Sequence, residues 1–279
     1  MAQSKHEIQS LLTKAGTEPR HRFGQNFMID QNLVRLVADV GLIEPGDLVI
    51  EVGPGTGTLT EELLARGADL LAVEIDRNLA DLLREKFAGN KRFTLIEGDA
   101  LASKHALNAD LLERLGAARK QHKRVKLVAN LPYNIASPLV IELLIAGVDS
   151  LTFAVQKEVG ERLRAKPGSD DYGPLTIVAQ MLARVEVLRK LPPTAFWPAP
   201  TVDSALVRMT REDRLGKKAA AFSVFVHQIL SARRKTLRKA LERAAVDPDK
   251  IIAKLALDPK VRAEELAPDI FFKMFEVAS

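Results

Sequence analysis

The chain of 279 residues contains no cysteine. That absence excludes a thiolate nucleophile, a zinc ribbon and a dithiol redox role, and nothing else in the sequence points to an oxidising compartment. Aromatic residues are scarce, 5% of the chain with one Trp and two Tyr, so an aromatic placed in a loop needs a reason. No apolar run approaches the roughly 20 residues of a membrane span. The stretch up to Arg22 is polar and mixed in charge, without the apolar core of a signal peptide, and a cytoplasmic address is the expectation.

What is present is a globular composition, 47% hydrophobic and 28% charged, unlike a disordered chain, a collagen repeat or a disulfide scaffold. The length predicts one large domain, or one with a small appendage. Lys plus Arg outnumber Asp plus Glu by 41 to 36, a mild excess that suits a polyanionic partner. The excess is unevenly placed. Residues 1–190 carry 25 basic and 25 acidic groups, and residues 191–279 carry 16 and 11. Between Arg214 and Leu241, a segment that includes Arg233, Arg234, Lys235 and Arg238, there is no acid. A second basic run spans Arg119 to Lys126.

From Asp47 to Gln156, short β-branched runs alternate with helical patterns, which predicts an α/β domain with a parallel sheet and crossover helices. Strands are expected at 47–52, 69–74, 93–97, 125–129 and 151–156, and later at 184–191 and 204–210 around a proline-rich loop at 192–200. From Ala219 onward the pattern is helical only. The expected organisation is a catalytic domain over 1–212, its first 20 residues mobile, and a small all-α, basic domain over 213–279.

The first strand runs into Gly53-Pro54-Gly55-Thr56-Gly57-Thr58 and then a helix. Glycines there allow a tight turn and close backbone approach to a ligand, and the helix N-terminus offers free N–H donors. A dinucleotide fingerprint would place its third glycine where Thr58 stands. With Glu51 before it, the loop resembles the cofactor loop of Rossmann-like class I S-adenosylmethionine-dependent methyltransferases. Glu74, ending the next strand, can accept from both hydroxyls of a ribose, and Asp99, ending the third, from an adenine amino group. Asn130-Leu131-Pro132-Tyr133 follows the fourth strand. An exocyclic amine is a poor nucleophile because its lone pair is delocalised into the ring. Two acceptors on its N–H bonds, Asn130 Oδ1 and the Leu131 carbonyl, favour a tetrahedral nitrogen, Pro132 stiffens the turn, and Tyr133 can stack on the base. Phe196, beside the single Trp197, either stacks on the second face of a flipped adenine or plugs a domain junction. Arg22 to Phe27 is too polar for core, and Gly24 could let the backbone close over a ligand.

The combination of Gly24–Phe27, Glu51–Gly57, Asn130–Tyr133, Val155–Val159, Phe196–Ala205 and Arg233–Arg238 resembles the KsgA family, the small-subunit ribosomal RNA adenine dimethyltransferases, over nearly all of residues 20–275. The resemblance implies methyl transfer from S-adenosylmethionine to N6 of two adjacent adenines in the 3′-terminal hairpin loop of 16S-type RNA within an assembling small subunit. It implies cofactor contacts from Asn26, the backbone of Met28 (usually Leu in the family), Gly53, Gly55, Glu74, Asp99 and Asn130. It also implies a target base held by Asn130, Leu131, Tyr133 and Phe196, and RNA held by Arg233, Arg234, Lys235 and Arg238, with no metal. The expected enzyme is a monomer, without a membrane partner. Three alternatives stand beside it: the macrolide-resistance enzyme of large-subunit RNA, a non-catalytic assembly factor, and a nicotinamide oxidoreductase, the last disfavoured by Thr58.

Overall fold

The expected β-branched runs assemble into one seven-stranded sheet whose order leaves a crevice where the motifs lie. A computed structural model describes residues 3–212, 214–232 and 235–279, so the expected RNA contacts Arg233 and Arg234 lie outside the described residues. The chain divides into two compact units, one running up to Gly160 and resuming at Glu186–Thr210, the other comprising Glu161–Val185 and Arg211–Ser279. The chain runs through α1 (Lys5–Lys14), β1 (Phe27–Met28), α2 (Gln31–Val40), β2 (Leu48–Val52), α3 (Thr58–Ala65), β3 (Asp69–Glu74), α4 (Arg77–Lys86) and β4 (Phe93–Glu97). There follow the short pair β5 (Leu101–Ser103) and β6 (Ala106–Leu107), α5 (Ala109–Gln121), β7 (Val125–Asn130), α6 (Ala136–Ile145) and β8 (Ser150–Gln156). Next come α7 (Lys157–Leu163), α8 (Pro174–Leu182), β9 (Ala183–Leu191), β10 (Phe196–Trp197) and β11 (Ser204–Arg211).

The sheet order is β4-β3-β2-β7-β8-β11-β9. The five strands from β4 to β8 are parallel, and β11 is antiparallel to β8 with Ser204 opposite Gln156. Strands β2, β7 and the middle of β8 are buried along their length, as expected of a parallel sheet covered on both faces. The chain winds outward from β2 in one direction to β3 and β4, and in the other to β7 and β8. Ligands of such folds sit at this switch, beyond the carboxyl ends of the strands. Asp30 starts α2 by accepting from the amides of Asn32 and Leu33, and Asp76 starts α4 by accepting from Asn78, a polar stop-and-start that the side-chain oxygens provide.

Residues 5–14, expected to be mobile, instead form α1. Ser4 and Glu7 make a capping box at its start, and Ile8 and Leu12 are buried in a cluster with Phe27, Leu79 and Leu82. The apolar stripe gives the helix a face to bury, which a polar leader would lack.

The second unit contains α8 with α9 (Ala219–Leu230), α10 (Leu237–Arg243), α11 (Pro248–Leu255) and α12 (Pro268–Ala278). Phe222 and Phe225 each meet Phe275 edge-to-face, at 5.8 and 5.6 Å between ring centroids, in this small core. Tyr172 donates from its hydroxyl to the Leu266 carbonyl at 2.7 Å. Residues 161–185 thus belong with this helical unit, because the almost wholly apolar α8 is buried against α9 and α12.

Candidate active site

A cleft of about 910 Å³, its solvent-open mouth included, lies at the carboxyl ends of β2, β3, β4 and β7. Its floor is the glycine loop after β2. Gly53, Gly55 and Gly57 have φ of +72°, +62° and +81°, and a Cβ on Gly55 would fall 2.8 Å from the Phe27 ring. Position 55 therefore tolerates only glycine without a rearrangement of a buried aromatic.

Two carboxylates lie beneath this loop. Glu74 Oε2 accepts from the Gly55 amide at 3.1 Å and Oε1 from the Asp76 amide at 2.9 Å. Burial pushes its pKa up to about 7 against those donors. Glu51 accepts from Thr60 Oγ1 at 2.7 Å. Burial, with the Glu74 charge nearby, pushes it up to about 8, so it is mostly a neutral acid at pH 7. The buried Thr58 Oγ1 lines the cleft and has no hydrogen-bond partner among the described residues. An orphaned polar atom in a glycine cradle is what a site built for a polar ligand leaves open.

Around the wall stand Asp99, whose Oδ1 accepts from the Leu101 amide at 2.9 Å, and Ile75, a large apolar residue 42% exposed directly after Glu74. At the end of β7, Asn130 Nδ2 donates to the Asn26 carbonyl at 2.7 Å. That bond fixes the amide so that Oδ1 remains as its acceptor end. Asn26 is held in turn by donation from its Nδ2 to the Gly24 carbonyl at 3.3 Å. A Cβ on Gly24 would approach Asn134 Oδ1 and the Tyr133 amide, both at 3.4 Å, so the polar 23–26 loop leans on the Asn130–Tyr133 turn.

The structure brings Asn26, Met28, Gly53, Gly55, Glu74, Asp99 and Asn130 to this one cleft. Leu131, Tyr133 and Phe196 do not line it. Leu131 is buried with its amide bonded to Ala154, and the Tyr133 hydroxyl is 2.6 Å from Ser204 Oγ. Phe196, too, lies outside the cleft lining. It is 2% exposed and packs with Met28, Leu33 and Leu206, because β10 pairs antiparallel with β1 and sets Phe196 opposite Met28. It offers no face to a base in this conformation. In the helical unit Lys235 is exposed, whereas Arg238 already pairs with Asp249 at 2.6 Å.

Sequence reasoning missed Ile75, Asn134 and Ile135 on the wall. It also missed the support from Gln25, whose Oε1 accepts from the Arg20 amide at 2.8 Å and whose Nε2 reaches Asp76 Oδ2 at 3.4 Å. The polarity of the 22–27 segment was the available signal.

A family model described as "Ribosomal RNA adenine dimethylase" matches residues 16–279. Among curated proteins, the "Ribosomal RNA small subunit methyltransferase A" of Moorella thermoacetica is 38% identical, covering 94% of this chain and 93% of its own. The protein of that name from Hahella chejuensis is 41% identical, covering 93% and 92%. Two crystal structures share the fold: a dimethyladenosine transferase from Plasmodium falciparum, with TM-score 0.70 at 21% identity over 89% of this chain and 95% of that one, and the 23S rRNA methyltransferase ErmE, with TM-score 0.63 at 25% identity over 91% and 99%. A match that begins before the Gly24–Phe27 loop and runs through the glycine loop, Asn130 and the helical unit to the last residue makes this chain a member of the ribosomal RNA adenine dimethylase family.

Proposed function

We propose that the chain dimethylates N6 of two adjacent adenines in the 3′-terminal hairpin loop of small-subunit ribosomal RNA, using S-adenosylmethionine, during assembly of the subunit in the cytoplasm. The observation that carries the reading is the Asn130 amide, locked by the Asn26 carbonyl with its acceptor end unbonded among the described residues, in the cleft that also holds Glu74 and Asp99. The greater likeness to small-subunit methyltransferases, 38% and 41% against 25% for ErmE, favours the small-subunit substrate over the large-subunit one.

Glycine loop, orphaned Thr58 hydroxyl and Glu74 fit the donor. Gly53 and Gly55 admit it against the backbone, Glu74 accepts from the ribose hydroxyls, Ile75 covers an apolar face of the base and Asp99 accepts from its amino group. When bound, S-adenosylmethionine supplies a sulfonium methyl group, an electrophile at carbon. Asn130 Oδ1 accepts one N–H bond of the target amine and the main-chain carbonyl of Leu131, beside the cleft with its side chain in the core, accepts the other once the base is seated, which turns the lone pair out of the ring plane. The alkylated nitrogen is strongly acidic and loses its proton without a dedicated base. After one transfer a single N–H remains, so a second transfer requires room for a methyl beside one of these acceptors.

The test is transfer of radiolabelled methyl onto undermethylated small subunits, with large subunits and free RNA as controls. Label is expected in the small subunits, and label confined to large-subunit RNA would overturn the substrate.

A further inference from the structure

Helix α1 and Gln3, two residues ahead of it, precede residue 16, where the family match starts, yet this segment reaches the glycine loop by two routes. The first is polar. Gln3 Nε2 donates to the Thr56 carbonyl at 3.0 Å, and Thr56 Oγ1 donates back to Gln3 Oε1 at 2.7 Å. Both residues are buried, Gln3 at 6% and Thr56 at 1% exposure, 53 positions apart in sequence. Lys86 Nζ donates to the same carbonyl at 3.0 Å while paired with Glu61. The second route is apolar. Ile8 and Leu12 pack with Phe27, and Phe27 is the ring that lies against Gly55. The far end of α1 is held as well, since Asn78 Nδ2 donates to the Ala15 and Gly16 carbonyls at 2.9 and 3.1 Å.

A loop with three glycines at positive φ has many other conformations open to it, and ordering it on ligand binding would cost affinity. Bonds that order it beforehand transfer that cost from binding to folding. We propose that the segment of Gln3 and α1 is a positioning element of the methyl-donor site, in which Gln3 fixes the Thr56 peptide while Ile8 and Leu12 hold Phe27 against Gly55. The loop then has its binding shape before the donor arrives. The inference rests on the assignment of the cleft to the donor.

The experiment compares the full chain with Gln3→Ala, Thr56→Val, the double variant, and Lys14→Ala as a control whose Lys14–Glu85 pair is solvent-exposed. Dissociation constants for S-adenosylhomocysteine are measured by calorimetry, together with donor KM, kcat and hydrogen exchange of the amides at 55–57 in the unliganded chain. Loss of two net hydrogen bonds by Gln3→Ala should weaken affinity and raise donor KM by about three- to tenfold. The kcat at saturating donor should stay within about twofold, and exchange at 55–57 should accelerate. The double variant should lose less than the product of the two single losses, and Lys14→Ala should match the parent. Unchanged affinity, KM and loop exchange in Gln3→Ala, whatever its melting temperature, would overturn the proposal and leave α1 as packing alone. Failure of the parent chain to bind the probe would instead overturn the donor assignment, and the exchange measurement would still decide whether α1 orders the loop.

Discussion

Glu74 carries two demands at once, since both oxygens are bonded to backbone amides while burial holds its pKa near about 7. Accepting from two ribose hydroxyls favours the ionised form. Binding that selects the ionised form strengthens as pH rises through that pKa, because fewer molecules must first lose a proton. Calorimetry should therefore show tighter S-adenosylhomocysteine binding at about pH 8 than at about pH 6. Glu74→Gln should bind weakly at both, with the pH dependence gone. A flat or opposite profile in the parent chain would remove this acceptor role. Asn130 is tested differently, because it has both an orienting and an accepting end. Asn130→Asp keeps the acceptor but cannot donate to the Asn26 carbonyl. Both it and Asn130→Ala should lower kcat by about 100-fold or more, the scale for removing one preorganised polar group from beside a reacting atom. Donor affinity should weaken without vanishing, and near-parental turnover in either variant would exclude the role.

At the scale of elements, the seven strands of the main sheet were legible because each is a run of β-branched and apolar residues bounded by turn residues. The ends of those strands located Gly53, Glu74, Asp99 and Asn130, since the crevice of a parallel sheet follows from its topology. The two-residue strands β1 and β10 were not legible, for a pair that short has no periodicity and exists only through its partner across 168 positions, Met28 to Phe196. That pairing also bears on the two readings of Phe196. A stacking residue and a core plug look alike in sequence, and burial to 2% in a cluster with Met28, Leu33 and Leu206 favours the plug, a reading with its own test. Phe196→Leu should cost about 1–2 kcal/mol and lower the melting temperature by a few degrees. Turnover well below the melting transition should change less than about threefold. Unchanged thermal stability with a large loss of turnover would restore the stacking role.

At the scale of the molecule, the question is which cations meet RNA. The net charge of +5 lies in residues 191–279, but several of those cations already have acidic neighbours. Arg214 pairs with Glu212 and Asp269, Lys218 with Glu276 at 3.1 Å, and Arg238 with Asp249 at 2.6 Å. An exposed ion pair contributes little to stability and can be surrendered to a phosphate, yet its partner acid offsets part of the attraction. The other basic run is also partly committed to structure. Lys126 is buried with Asp47 at 2.7 Å, and Arg119 donates to the Gly147 carbonyl at 2.9 Å. Lys120, Lys123 and Arg124 are exposed, but they precede β7 and so lie at the end of the sheet opposite to Asn130. Salt dependence separates the two runs, since removing one cation that neutralises a phosphate reduces the slope of log K against log salt by about 0.7–0.9. Replacing Arg233, Arg234 and Lys235 with Ala should flatten the slope for small-subunit binding by about 2–3. The same change at Lys120, Lys123 and Arg124 should leave it within about 0.5, measured by filter binding from about 50 to 200 mM salt. The reverse pattern would move the RNA-binding face from the helical unit to the amino end of the sheet.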